Sequence, residues 1–510
     1  MPDRRTFLEL ALVVLVAAAI YLPFLGGRPL DFSEGHRAVP GWTMLESGDY
    51  WHIKLFDLAY FRKPPGMPWA IAAGSALFGQ TPFGARFPST IAAILMSILA
   101  WWYGRRWFGQ GGGVVAGLAQ ALFPLMWSPG RTAEIEMLNN LGTQMFALGF
   151  IDLMIGAARR RAETAQEGEG PFDFLHALCA SARDCLLPAA GLLIAALAKG
   201  PASAPVLGGV LIGGCVGARS FGPLRSPGLG IAFILGASAI ALLGLKIYLA
   251  NATPDAVREN IAGEFLWSSR RALGVLLLIP VAFISALPMS LSVLVPKGTS
   301  TDRANPESTL ARTLRWSWIA SLALFVLLGV GDARYAMPAA VLLPPLAPLT
   351  IAWMRRKALR SEASGPAQRA REILHRPAFW LGMLLMGAWW NIALTGLSPT
   401  PDQLAAPAAA ETLSHDIDSG VLWADDAIEA RPDILWLIHK ARPSLHIRWA
   451  KQELRAGIVP PPMSLLLLRT DTQSKESTSY AAPIADGHLN PVATAAVRKY
   501  RFTLYQVRNK

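Results

Sequence analysis

Apolar stretches recur along this chain, most of them near the length that crosses a bilayer, and that recurrence limits its possible folds more than any other feature. They fall at residues 7–25, 84–104, 112–128, 138–157, 184–198, 202–217, 228–250, 272–295, 317–331, 335–354 and 378–396. A helix of about 20 apolar residues spans the ~30 Å hydrocarbon core. Every backbone N–H and C=O there must be satisfied inside the protein, which leaves helix bundles and closed barrels. Runs of this length select the bundle. The expectation is an α-helical polytopic membrane protein with about 11 transmembrane helices. Ala17-Ala18-Ala19 mimics a signal-peptidase site, but its run is nearly long enough to span the core and many more follow, so it reads as a retained first helix. Composition agrees, with 53% of residues apolar and 16% charged, against about 25% charged in soluble domains. Disorder, a fibrous repeat and a small disulfide scaffold are excluded. Cys179, Cys185 and Cys215 have no CxxC or Cys/His spacing and read as core residues.

Lys plus Arg number 47 against 35 Asp plus Glu, a net charge of +12. In a soluble protein such an excess suggests nucleic acid; here it reads as basic cytoplasmic loops, with the bilayer as partner and no nucleic acid. Alternate loops are indeed basic: Arg105-Arg106, Arg159-Arg160-Arg161, Arg219 with Arg225, Lys297 to Arg315, and Arg355-Arg356-Lys357. This pattern sets the N-terminus in the cytoplasm and everything after residue 397 outside. Two domains are expected: a membrane domain over 1–396, including a first outer loop at 27–83, and a soluble domain over 397–510. Strand-like runs at 463–468 and 500–505 and an amphipathic stretch from Ala427 to Lys440 make the second a small extracytoplasmic α/β domain.

The unusual polar residues gather on the outer face. The first outer loop reads Asp31-Phe32-Ser33-Glu34-Gly35-His36-Arg37, then Met44-Leu45-Glu46-Ser47-Gly48-Asp49, then Tyr60-Phe61-Arg62-Lys63-Pro64-Pro65-Gly66. Two prolines behind two cations stiffen the chain and hold the charges in one place. Fixed outward cations suit a phosphate, and a nearby carboxylate suits general-base work. Each residue also has a plainer reading: Glu34 as a helix cap, Lys63 and Arg62 as interfacial cations, Glu136 as a loop acid paired with Arg131, Arg334-Tyr335 as an interface anchor.

The ordered set of short motifs resembles the GT-C superfamily of membrane glycosyltransferases, which includes the protein O-mannosyltransferases and lipid A aminoarabinose transferases. Met44-Leu45-Glu46-Ser47-Gly48-Asp49, Lys63-Pro64-Pro65 and Phe83-Gly84-Ala85-Arg86-Phe87-Pro88-Ser89 match in order and approximate spacing. So do Arg131 to Glu136, Lys199-Gly200-Pro201, and Arg334-Tyr335 with Pro338. Each motif alone is weak, and the resemblance covers about residues 7–355. Three departures stand out. The superfamily's first-loop Asp-Glu pair falls on Ser33-Glu34, the Glu before its KPP is Arg62, and its later R-x₄-D turn has Glu136 in place of Asp.

The resemblance implies the GT-C fold and transfer of a hexosyl or pentosyl group from a polyprenyl-phosphate-linked donor to an acceptor hydroxyl, with inversion. The acceptor class it implies is lipid, glycan or protein, and the location a bacterial inner membrane with the C-terminal domain periplasmic. Glu34, or Asp31 in its place, is the expected catalytic base. Lys63, Arg62, Lys199, Arg334 and Tyr335 are the expected donor-phosphate site. Glu136 and His36 are positioning residues or ligands of an optional divalent metal; no cofactor is required by the sequence. The competing readings are a transporter or flippase of a lipid-linked anion and a catalytically inactive binding relative.

Overall fold

The computed structural model describes residues 4–61, 63–167, 173–251, 269–294, 306–330, 332–359, 376–415, 417, 420–424, 431–449, 460–462, 464–470, 488–497 and 500–508. Helices dominate the first four-fifths of the chain. They are α1 (Arg4–Tyr21), α2 (Phe32–Ser47), α3 (Gly66–Phe78), α4 (Pro82–Ala121), α5 (Ile135–Glu167), α6 (Asp173–Lys199), α7 (Ala204–Ala218), α8 (Pro227–Asn251), α9 (Ser269–Ser285), α10 (Pro306–Leu327), α11 (Ala347–Leu359) and α12 (Pro377–Gly396). Six stretches of the described residues are long and apolar enough to cross a membrane. Their outward faces are apolar too: Leu242 is 74% exposed, Leu249 72% and Met386 69%. Large aliphatic side chains turned outward along whole helices fit lipid as the solvent.

The apolar runs expected at 84–104 and 112–128 meet inside α4, which is not straight. Gly109 takes φ +74°, outside helical space. Beyond it the chain doubles back, so that Gly117 packs on Trp101 and on Val13 of α1. Glycine accepts this backbone without the Cβ clash of other residues. A second reversal lies between α6 and α7, where Gly200 takes φ +65°.

Proline interrupts the expected spans 335–354 and 272–295. Residues 335–354 begin as a turn, Ala333–Ala336, and the 3-10 segments Met337–Leu342 and Pro344–Leu346, before α11 starts at Ala347. Pro338, Pro344 and Pro345 lack the N–H a regular helix would donate. The run 272–295 stops as α9 at Ser285, three residues before Pro288.

Helices approach closely where small residues face each other. Gly142 of α5 packs on Gly191 and Ala195 of α6. Gly209, Gly213 and Gly217, spaced by four on α7, lie against Ser321, Ser317 and Thr313 of α10. Lipid tails are as apolar as leucine, so such close backbone packing replaces hydrophobic exclusion as the force between helices.

The rest of the chain forms α13 (Pro401–Ser414), α14 (Pro432–Ala441) and a five-stranded sheet of β3 (Gly420–Ala424), β4 (Leu445–Trp449), β5 (Leu465–Arg469), β6 (Leu489–Val497) and β7 (Tyr500–Val507). A two-residue hairpin, β1 (Lys54–Leu55) with β2 (Leu58–Ala59), lies in the first loop. The sheet order is β4-β3-β5-β7-β6, with β3 parallel to β4 and β5 and the other pairs antiparallel. Strand alternation divides the side chains: Leu422, Ala424, Leu467, Phe502 and Leu504 face a core shared with Leu413, Ile434 and Ile438 of the two helices. Trp423, Leu466, Leu468 and Tyr505 cluster on the opposite face.

The first loop is wedged between bundle and sheet domain. Trp42 of α2 stacks on Trp436 of α14 with centroids 4.7 Å apart. Trp449 Nε1 donates to the Leu55 carbonyl at 2.8 Å. On the bundle side, Asn251 accepts from the Ile53 N–H and donates to the Trp51 carbonyl, both at 2.8 Å. Loop, bundle end and sheet domain thus form one packed layer.

Candidate active site

The frame of this layer is a buried ion pair. Arg86, near the start of α4, and Glu34, in the first turn of α2, are each 1% exposed. Arg86 Nε and Nη2 donate to Glu34 Oε1 and Oε2 at 2.7 and 2.8 Å. Its remaining N–H groups go to the carbonyls of Leu25, Arg28 and Pro29 at 2.8–2.9 Å. All five guanidinium donors are used, as burial of a charge requires.

Glu34 is equally saturated. Oε1 also accepts from the Ala133 N–H at 2.9 Å, and Oε2 from the Asp31 N–H at 2.7 Å. Burial pushes this carboxyl up, but the Arg86 charge and the four hydrogen bonds outweigh it and hold it below the ordinary value. A carboxylate with four donors and a lowered proton affinity is a poor base. The role expected of Glu34 from sequence therefore gives way to a structural one: it ties α2 to α4 and to the segment before α5. Asp31 gives its N–H to Glu34, and its carboxylate lies within electrostatic reach of Arg28.

The Ala133 bond has a neighbour. One residue earlier on α2, the Ser33 hydroxyl hydrogen-bonds the carboxylate of Glu134, one residue later on the other segment. The Ser89 hydroxyl reaches the Glu134 carbonyl at 3.4 Å. Burial raises the Glu134 carboxyl, Glu136 and Glu34 add to the rise, and Ser33 and Arg37 only partly offset it. Glu134 is a site acid that the sequence reading passed over. The signal was present, since it sits inside the Arg131 to Glu136 motif.

Next to it are the expected cations. Lys199 Nζ lies 3.3 Å from Glu136 Oε1, and Arg334 Nε 3.4 Å from the same oxygen. Lys199 and Glu136 are buried, whereas the Arg334 side chain is 55% exposed. Lys199 also sits over the Tyr335 ring, 4.4 Å from its centroid, a favourable place for an ammonium. The Lys63-Pro64-Pro65-Gly66 segment docks here: Pro64 lies against Gly200, Gly66 against Leu197 and Ala198, and Lys63 is close enough for its charge to act on Lys199. Four of the five expected phosphate-site residues thus converge; Arg62 lies outside the described residues. Glu136 Oε2 is buried with no protein donor among the described residues.

Arg131 is not Glu136's partner. Its guanidinium donates to the carbonyls of Ile20, Tyr21 and Pro23 and to the Thr395 hydroxyl, at 2.6–3.1 Å. It caps the end of α1 and joins it to α12. His36 lies beside Tyr60, with ring centroids 6.1 Å apart. Among the described residues no three of His, Cys, Asp and Glu come together as metal ligands. With Glu136 Oε1 already held by two cations, the residues here do not fit the optional divalent metal.

A polar stripe descends from Glu136 along α5. Asn139, Asn140, Thr143 and Gln144 are fully buried at helical spacing. Ser203 bonds Asn139 and Thr143, and Gln144 Nε2 donates to Gln120. Uncharged residues inside an apolar run give no periodic signal, so the sequence reading missed them.

Comparison with known proteins adds an independent line. The family model of the dolichyl-phosphate-mannose-protein mannosyltransferases matches residues 62–161. The undecaprenyl phosphate-alpha-4-amino-4-deoxy-L-arabinose arabinosyl transferase of Pseudomonas aeruginosa is 37% identical over 138 residues, 27% of this chain and 25% of that protein. The Edwardsiella ictaluri enzyme of the same name is 33% identical over 126 residues, 24% of this chain and 23% of its own length. The matches therefore span about a quarter of these curated relatives. In three dimensions the crystal structure of ArnT from Cupriavidus metallidurans in the apo state superposes with a TM-score of 0.66 over 97% of both chains at 16% identity. The same protein bound to undecaprenyl phosphate gives 0.64 over 98% of both at 18% identity.

Proposed function

We propose that this chain, a GT-C superfamily protein by its fold and its family match, transfers a sugar from a polyprenyl-phosphate-linked donor to an acceptor hydroxyl at the membrane surface. The observation that carries the reading is the convergence of Lys63, Lys199, Arg334 and Tyr335 around Glu136 at the end of the bundle bearing the sheet domain.

The acceptor oxygen attacks C1 of the sugar from the side opposite the phosphate. The C1–O bond breaks with its electron pair on the phosphate, the anomeric centre inverts, and polyprenyl phosphate leaves. Negative charge grows on the leaving phosphate, where the three cations are already assembled. One such contact is worth about 3–4 kcal/mol in the transition state. Glu136 keeps the cations together. The stripe of neutral polar side chains below holds α4, α5 and the start of α7 in register beneath the site.

Undecaprenyl phosphate, bound by the Cupriavidus relative, and the aminoarabinose donor named for the Pseudomonas relative are the first donor class to supply, with a lipid as first acceptor. The membrane is a bacterial inner membrane. Arg105 and Arg106, paired with Glu9 and Asp152 at the bundle end away from the sheet domain, are cytoplasmic with the N-terminus, and the sheet domain is periplasmic.

The test is release of free polyprenyl phosphate by purified protein in detergent, given a panel of polyprenyl-phosphate sugars and a crude envelope extract. Release is expected from the native protein and about 10²–10³ slower from Lys199→Gln. No release from any donor by folded protein would favour the transporter or binding readings.

A further inference from the structure

We propose that Glu134 is the catalytic base of this protein, placed beside Ser33 by the Glu34–Arg86 frame. The inference rests on the transferase reading above and names the group that takes the acceptor's proton.

Three observations converge on it. First, the carboxylate best placed by sequence is spent: Glu34 accepts four hydrogen bonds and faces Arg86. Second, the same bonds set Glu134 in place. Glu34 Oε1 accepts from Ala133, so two adjacent residues of α2 meet two adjacent residues of the 133–134 segment, Glu34 with Ala133 and Ser33 with Glu134. Ser89 fixes the Glu134 backbone from α4. Third, the position is one residue from the start of α5, whose first turn carries Glu136 and with it Lys199 and Arg334. Glu136 Oε2 is buried without a protein donor among the described residues. Glu134 thus lies two residues along the chain from the carboxylate that gathers the cations.

The groups around Glu134 suit the role. Burial raises its carboxyl first, the charges of Glu136 and Glu34 add to the rise, and the Ser33 hydroxyl and Arg37 only partly offset it, so it keeps a proton more readily than an exposed glutamate. In the step itself the acceptor O–H bond breaks as the new C1–O bond forms. The proton passes to a Glu134 oxygen, and the electron pair of the old C1–O bond goes to the phosphate. The proton returns to solvent when product leaves.

The experiment compares native protein, Glu134→Gln and the double variant Ser33→Asp with Glu134→Gln. It reads polyprenyl phosphate release, binding of undecaprenyl phosphate itself, and thermal unfolding in detergent. Glu134→Gln is expected to lose about 10²–10⁴ in turnover while binding undecaprenyl phosphate within about twofold of native and unfolding at the same temperature. Ser33→Asp restores a carboxylate at the hydroxyl that now touches Glu134, and recovery of about tenfold or more in the double variant would show that a carboxylate is needed there rather than the shape of the side chain. Turnover of Glu134→Gln close to native would overturn the proposal and leave the transferase reading intact. Loss of undecaprenyl phosphate binding or of thermal stability in step with turnover would overturn it in favour of a structural role. A native protein inactive on every donor would overturn both.

Discussion

Arg86 shows how a single side chain can set the frame of a candidate site. Its five donors join α4 to three loop carbonyls and to Glu34, and Glu34 passes the constraint on to Ala133. Removing one partner of such a pair strands a buried charge, which costs about 3–5 kcal/mol. Arg86→Met should therefore lower the unfolding temperature in detergent sharply, with loss of activity following from loss of structure. Chemical denaturation of both proteins in one detergent checks this. Acid acts on the same pair. Because the folded-state Glu34 carboxyl is held below its ordinary value, its contribution is complete above the unfolded carboxyl range and is lost as pH falls through the lowered value. An unfolding temperature measured against pH should drop on the acid side, and a Glu34→Gln variant should start lower and show a flatter acid limb. At this scale the sequence told a partial story. The ordered motifs identified Lys63, Lys199, Arg334 and Tyr335, and the structure brings them together. It could not show that Glu34 faces a guanidinium 52 residues away, since hydrogen-bond saturation belongs to the third dimension. Glu134 escaped notice for the matching reason: a residue between motif positions becomes part of the site only when another loop folds onto it.

Helices here are read well where hydrophobicity is continuous and badly where proline intervenes. The run from 378 to 396 became α12 almost residue for residue, whereas 335–354 became a turn, two 3-10 segments and a shorter α11, because three prolines remove donors that hydropathy does not weigh. The α4 reversal was legible as two runs with a glycine-rich gap, although Gly109 alone turns the chain. The contact between α7 and α10 depends on a different property. Gly209, Gly213 and Gly217 let the backbones meet at Ser321, Ser317 and Thr313, and a Cβ on any of them would collide with a serine or threonine side chain. Gly213→Leu should force α7 and α10 apart, at a cost of about 1–3 kcal/mol or more from overpacking. The expected readout is a lower unfolding temperature and slower release of polyprenyl phosphate, whereas Gly230→Leu, on the open face of α8, should change neither.

At the level of the whole molecule, the sheet domain holds the first loop against the bundle. Trp436 packs on Trp42 and Phe56, and Trp449 bonds Leu55, so the first loop is sandwiched between the bundle and α14. Trp436→Ala removes the largest of these contacts, with a cost of about 3–5 kcal/mol for truncating a buried tryptophan. Limited proteolysis should then cut the first loop at protease levels that leave the native protein whole. That a mixed α/β domain follows the last apolar helix was legible from alternation in the tail. That its aromatic residues seat on the first loop was not, since Trp42 and Trp436 lie almost 400 residues apart in the chain.

The four hydrogen bonds of Arg131 bear on traffic. They bind the last carbonyls of α1 to Thr395 of α12, so the earliest and latest helices of the bundle are laced together beside the site. Parting them would leave a buried guanidinium and three carbonyls without partners, a penalty of several kcal/mol. That seam is a closed door to a prenyl chain. In the proposed reaction a lipid-borne donor enters by another flank of the bundle, and its headgroup reaches Lys199 on the side where the Arg334 side chain is exposed.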